Sequence, residues 1–325
     1  MTSATSALPL VVLVGPTASG KSALGIWLAE RLGGEVVACD SAQLYRGLDI
    51  GTGKPRAAER RGIPHHLLDV FETHENATAG AYRQMAMSVL EELRKRMCLP
   101  VFTAGTGLYL RALLEGLADA PQRSEELRDR LRTLAQEHPA GYLHRLLKRL
   151  DREAALRIQP RDEQKLIRAV EVCLLAKKQL SEVHRSGRSP LAGWRALKIG
   201  LRPPREALYQ RIEGRVQLML DEGWVEEVRR LVERGAAEGA KVFDFIGYRE
   251  LRAVLRGQLT MEQASTVIQQ ATRHYAKRQL TWFARETAVH WLYGFGEESS
   301  VQKAALQWLE QQGCHTHRDG QTTSV

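Results

Sequence analysis

The chain has 325 residues, of which 43% are hydrophobic and 26% charged, the balance of a soluble globular protein with one large domain or two ordinary ones. Four scattered cysteines (Cys39, Cys98, Cys173, Cys314) form no C-x-x-C pair, no apolar run is long enough for a membrane span, and the first nine residues lack a basic signal region. These features exclude a disulfide framework, a zinc site and a membrane protein, and they predict a cytoplasmic location.

The apolar, β-branched run Leu10 to Val14 predicts a buried parallel strand. It leads into Gly15-Pro16-Thr17-Ala18-Ser19-Gly20-Lys21-Ser22, which fits the phosphate-binding pattern G-x-x-x-x-G-K-[ST], and Ser22 to Leu32 then has helical spacing. A loop entering a helix aims unpaired N–H groups and the positive end of the helix dipole at one point. Lys21 adds a mobile charge, and the Ser22 hydroxyl is a candidate Mg²⁺ ligand. The stretch predicts a site for a diphosphate or triphosphate.

A second short strand, Glu35 to Cys39, ends at Asp40-Ser41-Ala42-Gln43. In a parallel sheet ligands gather beyond the carboxyl ends of the strands, so Asp40 is expected on the same rim as Lys21, as a metal-holding or proton-accepting group. The glycine-rich stretch Arg46 to Pro64 reads as a loop over the site, with Thr52 and Lys54 in reach of a phosphate. His65-His66 reads as a short strand or turn, and its neighbouring side chains point apart, against a metal pair. A helix is expected over Thr78 to Met97, a strand over Pro100 to Ala104, and a small-residue turn at Gly105-Thr106-Gly107 before a helix from Leu108 to Leu117.

Residues 123–188 read as wholly helical, with leucine stripes at Leu127, Leu131 and Leu134, at Leu143, Leu146, Leu147 and Leu150, and at Leu166, Ile167, Val170, Leu174 and Leu175. The net charge of +9 is concentrated here. Residues 121–200 hold 18 Lys and Arg against 10 Asp and Glu, and the rest of the chain holds 29 against 28. A basic middle third beside a nearly neutral body predicts a polyanionic partner. The alternation Trp194 to Leu201 returns to a strand. Helices follow over Glu206 to Leu220, Val225 to Val232, Gly247 to Leu255 and Met261 to Arg285, then a strand over Ala288 to Leu292 and a helix over Val301 to Gln311. Cys314-His315-Thr316-His317 reads as tail rather than metal site. The expected fold is α/β, a P-loop NTPase-like parallel sheet core with an all-helical insertion domain. Its divisions fall at 9–120 and 191–293 for the core, 121–190 for the basic insertion, and 294–325 for a C-terminal helix and tail.

On these residues alone three classes stay open: a kinase or NTPase using ATP, a transferase holding a diphosphate leaving group, and a nucleic-acid binder with a relic loop. The basic helical region favours a large anionic acceptor, and the joint presence of Lys21, Ser22 and Asp40 disfavours the relic.

Several motifs together resemble the tRNA dimethylallyltransferase (isopentenyltransferase) family. They are the loop at 15–22, Asp40 to Tyr45, Asp49 to Pro55, Pro64-His65-His66, Gly105 to Tyr109, Gly247-Tyr248-Arg249-Glu250, and Ala276 to Trp282, in the family's order over residues 10–292. Ala104 departs from the glycine usual there, which raises the question of a backbone angle open only to glycine. The C-terminal zinc finger of eukaryotic relatives is not seen, which points to the bacterial form. The resemblance implies transfer of a dimethylallyl group from dimethylallyl diphosphate to N6 of the adenosine next to the anticodon on its 3′ side, by a monomer with Mg²⁺. An adenine amine is a weak nucleophile, so a base is needed, and Asp40 is placed for it. The diphosphate-binding loop Gly15, Pro16, Thr17, Ala18, Ser19, Gly20, Lys21 and Ser22, through its N–H groups and the Lys21 charge, would stabilise the leaving diphosphate together with Arg215, and Thr106 would orient the acceptor. Contacts to the flipped nucleotide fall on Asp40, Ser41, Ala42 and Gln43. Contacts to the anticodon stem-loop fall on Arg128, on Gln164, Lys165, Leu166, Ile167 and Arg168, on Asp244, Phe245, Ile246, Gly247, Tyr248 and Arg249, and on Lys277, Arg278, Gln279, Leu280, Thr281, Trp282, Phe283 and Ala284.

Overall fold

The structure is a computed structural model that describes residues 7–185, 187–237 and 239–315. Thr316 and His317 of the tail cluster lie outside the described residues. The chain divides into two compact units, one made of the residues up to Leu114 together with those from Ala192 onward, the other of Glu115–Leu191.

In the first unit the strands are β1 (Leu8–Val14), β2 (Gly34–Cys39), β3 (His65–His66), β4 (Leu99–Ala104), β5 (Trp194–Leu201) and β6 (Val289–Leu292). Among the described residues they form one sheet in the order β3-β2-β4-β1-β5-β6 with every pairing parallel. A central parallel strand is covered on both faces, which is why β1 is a continuous apolar run, and Leu10 to Val14 are fully buried. From β1 the chain moves to one side of the sheet at β2 and resumes on the other side at β5. The rim outside the carboxyl end of β1 is therefore a switch point, where ligands of open α/β sheets bind.

Helices α1 (Lys21–Leu32), α2 (Ala79–Lys95) and α3 (Gly107–Glu115) follow β1, the loop after β3, and β4. Expected strands and helices appear with ends shifted by a few residues, and the shifts have local causes. The helix expected to reach Leu117 stops at Glu115 because Gly116 turns left-handed at φ 80°. The strand expected from Ala288 starts at Val289, since Ala288 is itself left-handed at φ 55°. Ala104 ends β4 without a left-handed angle, so the side chain there causes no strain.

The second unit holds α4 (Glu125–Glu137), α5 (Tyr142–Leu150), α6 (Arg152–Arg157), α7 (Glu163–Ala176) and α8 (Leu180–Arg185). Ser124, Asp151 and Asp162 cap α4, α6 and α7 by accepting from backbone N–H groups of the first turn. Leu131, Leu143, Leu147, Leu166, Ile167 and Val170 form its core. Leu174 and Leu175, expected in the third stripe, are 43% exposed. They lie in the last turn of α7, just before Lys177 ends the helix at φ 51°.

The first unit is completed by α9 (Arg205–Asp221), α10 (Trp224–Glu233), α11 (Tyr248–Leu255), α12 (Met261–Phe283) and α13 (Ser299–Gln311). Among the described residues no helix is long and apolar enough to cross a membrane.

Candidate active site

The phosphate loop connects β1 to α1 through three left-handed or unusual positions, Gly15 at φ 147°, Ala18 at φ 61° and Gly20 at φ 85°. Ala18 adopts that angle without glycine's freedom, at a cost of about 1–2 kcal/mol. The curled backbone from Thr17 to Gly20 and the start of α1 line a cavity of about 750 Å³. Lys21 folds over this turn, its Nζ donating to Gly15 O at 3.0 Å and Pro16 O at 2.7 Å. Burial lowers its pKa to about 8, with Asp40 opposing the shift and Arg215 adding to it. Ser22 lines the same cavity, and the Ser19 hydroxyl is buried without a hydrogen-bond partner among the described residues.

Asp40 follows β2 on the same rim and lines the same cavity. Its Oδ1 accepts from Ala42 N at 2.9 Å. Its Oδ2 lies where a Cβ on residue 105 would collide with it, so Gly105 is what permits the close approach of β4's end to the carboxylate. Thr106 accepts Ser41 N at 2.9 Å and donates to Ser41 Oγ at 3.2 Å, and both Gly105 N and Thr106 N donate to Cys39 O. The Thr106 hydroxyl is thus engaged in bracing the turn that presents Asp40. Gln43 donates to Thr52 O and Gly53 O, joining that turn to the 46–64 loop.

Arg211 and Arg215 reach the cavity from one face of α9. Arg215 forms no hydrogen bond or ion pair with any described residue. Its pKa is lowered by burial and then by Arg211, a state that favours the arrival of an anion. Gly53 makes room for it, since a Cβ there would strike the guanidinium. Arg211 pairs with Glu297, whose carboxylate sits against Gly20 of the loop. A second cavity of about 290 Å³ shares Thr17, Ala18, Asp40, Thr52, Arg215 and Tyr275 with the first. Its further lining is largely apolar, from Ile212, Val216 and Met219 of α9 with Trp224 and Tyr248. Charge and apolar surface therefore meet at Asp40.

Lys54 does not reach this site. It is buried, ion-paired with Asp49 at 2.6 Å and Asp69 at 2.5 Å, and donates to Tyr45 O. A glycine-rich loop needs internal ties, and Lys54 supplies one. Glu227, which sequence reasoning missed, supplies another by accepting from Asp49 N, Ile50 N and Gly51 N at 2.8, 2.7 and 3.1 Å and from Tyr248 OH at 2.7 Å. Nothing local in the sequence marks Glu227. The apolar face Ile212, Val216 and Met219 did carry a signal, its helical spacing beside Arg215.

The residues assigned to RNA by resemblance divide sharply. Gln164, Lys165, Asp244, Arg249, Lys277, Arg278, Thr281, Trp282 and Ala284 are exposed, Phe245, Ile246 and Leu280 are half-buried, and Phe245, Ile246 and Arg278 line the second cavity. Leu166, Ile167, Gly247, Tyr248, Gln279 and Phe283 are buried. Arg128 donates twice to the fully buried Glu171 at 2.8 Å, and Arg168 donates to it at 2.6 Å. Burial alone would raise the Glu171 carboxyl, but those guanidinium hydrogen bonds and the Ser124 N–H outweigh it and hold the pKa at about 2. Among the described residues no group of three or more His, Cys, Asp or Glu side chains is placed to hold a metal ion.

A family model described as IPP transferase matches residues 43–286. The tRNA dimethylallyltransferase of Koribacter versatilis is 52% identical over 301 residues, covering 93% of this chain and 98% of that protein. The tRNA dimethylallyltransferase of Solibacter usitatus is 46% identical, covering 92% and 97%. The crystal structure of the tRNA delta(2)-isopentenylpyrophosphate transferase of Staphylococcus epidermidis superposes with a TM-score of 0.67 at 36% identity, covering 94% of this chain and 99% of that one. With a phosphate loop, an adjoining carboxylate and free arginine on one rim, and likeness over nearly its whole length, this chain belongs to the IPP transferase family.

Proposed function

We propose that this chain transfers the dimethylallyl group of dimethylallyl diphosphate to N6 of the adenosine 3′ to the anticodon of tRNA and releases diphosphate. The observation that carries the reading is the meeting, at one cavity, of a loop of the phosphate-binding pattern, an arginine without a hydrogen-bond or ion-pair partner among the described residues, and a carboxylate next to an apolar pocket. In the reaction the N6–carbon bond forms as the allylic carbon–oxygen bond breaks, and the N6 proton passes to Asp40. Loop amides, Lys21 and Arg215 take up the charge developing on the departing oxygen. Thr106 keeps Asp40 in place through Ser41. The turn at Asp40, Ser41, Ala42 and Gln43 faces the flipped base, whose extrusion costs a few kcal/mol. Exposed polar and basic side chains, among them Gln164, Lys165, Arg249, Lys277 and Arg278, hold the anticodon stem-loop.

The residues suit Mg²⁺ held mainly by diphosphate and water. Ser22 lines the cavity, and its hydroxyl with Asp40 nearby would hold the ion while diphosphate and water supply the other ligands, as is usual where Mg²⁺ travels with phosphates. Bound there, the ion would add positive charge opposite the leaving oxygens.

The test is to incubate the purified chain with unmodified tRNA and labelled dimethylallyl diphosphate, and in parallel with labelled ATP. Label is expected in tRNA from the first and no turnover of the second. Consumption of ATP with the prenyl compound untouched would overturn the proposal.

A further inference from the structure

On α12 the exposed Lys277 and Arg278 are followed by a side chain that points the other way. Gln279 is 5% exposed. Its Oε1 accepts Thr17 N–H at 2.6 Å, and its Nε2 donates to Gly105 O at 2.8 Å. The partners fix which way the amide faces, since a backbone N–H only donates and a carbonyl only accepts. Tyr275, one turn earlier, donates its hydroxyl to the same Gly105 carbonyl at 3.1 Å.

Thr17 belongs to the loop that grips the leaving group. Gly105 is the residue against which the Asp40 carboxylate rests. One side chain therefore ties the two halves of the reaction together across the carboxyl rim of the sheet. We infer that Gln279 is a positioning residue, which fixes the spacing between the phosphate loop and Asp40, and not a contact to RNA. The inference rests on the prenyl transfer proposed above.

The physical argument is one of geometry. The carbon–oxygen bond breaks at the loop while the proton leaves toward Asp40, so both must be in place together, and a misplacement near 1 Å costs on the order of 100-fold in rate. Glutamine offers a donor and an acceptor at one length. Leucine fills similar space but leaves the partly buried Thr17 N–H without its acceptor and the Gly105 carbonyl with the Tyr275 hydroxyl alone. Glutamate keeps the acceptor for Thr17 and turns its other oxygen toward the Gly105 carbonyl, where a donor is needed.

The experiment uses the full chain as Gln279→Leu and Gln279→Glu, with kcat, the KM for dimethylallyl diphosphate, the Kd for tRNA and the melting temperature measured for each. kcat is expected to fall about 100-fold in Gln279→Leu and about tenfold in Gln279→Glu, with tRNA Kd within about twofold of wild type in both. A raised tRNA Kd with kcat retained would overturn the inference and make Gln279 an RNA contact. Unchanged kcat in a folded variant would overturn it equally, and if Gln279→Leu does not fold, Gln279→Glu decides. A wild-type chain inactive with this donor removes the transfer reading and this inference with it, whereas an active wild type with unimpaired variants removes this inference alone.

Discussion

Arg215 in the α/β unit and Arg128 in the helical unit are arginines on helices, each largely shielded from solvent, yet their surroundings are opposite. Arg128 is held bidentately by Glu171, whose carboxylate also takes Arg168 and the Ser124 N–H, so one buried negative charge absorbs two cations. Arg215 has no such partner and faces a cavity, with a second cation, Arg211, lowering its pKa further. A buried charge without a partner is costly and persists where a ligand completes it, whereas a satisfied buried pair is scaffold. Charge counting along the sequence treats the two arginines alike, and only their partners separate them.

The comparison is broken or sharpened first at the loop. Lys21→Ala is expected to lower kcat/KM for dimethylallyl diphosphate by about 100-fold or more, with tRNA affinity kept, because in the proposed transfer it deletes the charge that stabilises the leaving oxygens. The wild type should show a pH limb that the variant lacks. Since the Lys21 pKa is lowered to about 8, the ammonium charge is present below that pH and lost above it, so the donor KM of the wild type rises above pH 8, by up to about tenfold per unit. A donor KM flat from pH 7 to 9.5 in the wild type would detach Lys21 from the diphosphate.

This division also sets what was legible in the sequence. The phosphate loop was legible because its chemistry is contiguous: eight successive residues between a strand and a helix carry the whole geometry. Asp40 was legible because the end of a strand in a parallel sheet has a known place. The core of the helical unit followed from leucine spacing. Partnerships at long sequence separation were not legible. Lys54, preceded by Gly53 and expected from the sequence in reach of a phosphate, is neutralised by Asp49 and by Asp69, 15 residues away. Arg128 is matched by Glu171, 43 residues on, and Gln279 by Thr17, 262 residues back. Residue type predicts what a side chain can bond, and the fold decides what it does bond.

The next largest effect belongs to the scaffold. Glu171→Ala leaves two guanidinium groups without their shared carboxylate, one of them nearly buried, at an expected cost of about 3–5 kcal/mol in unfolding free energy. Titration checks the sign independently. A carboxylate with a native pKa of about 2 contributes stability that is fully present above its ordinary value of 4.5 and is lost as pH falls through 2, so the acid loss of stability should be smaller in Glu171→Gln than in wild type by roughly 3 kcal/mol across that window. Denaturant melts of the full chain at a series of pH values measure both. A Glu171→Ala chain as stable as wild type would deny the pair its structural role.

The smallest effect is the most discriminating. Lys165 is on the same helix as Arg168, but its side chain is 70% exposed and its only ion-pair partner among the described residues is Asp162, one turn away. Such a pair contributes little to stability, so Lys165→Ala should leave the melting temperature nearly unchanged. If the exposed part of the basic unit meets tRNA phosphates, the same substitution weakens tRNA binding a few-fold and reduces the slope of log affinity against log salt by about one ion. Arg128→Ala should do the reverse, destabilising the chain while the salt slope of the folded fraction stays close to wild type. Observing the slope change at Arg128 and none at Lys165 would mean that the buried cluster opens on RNA, and that the partner seen for an arginine in the free protein does not decide its use.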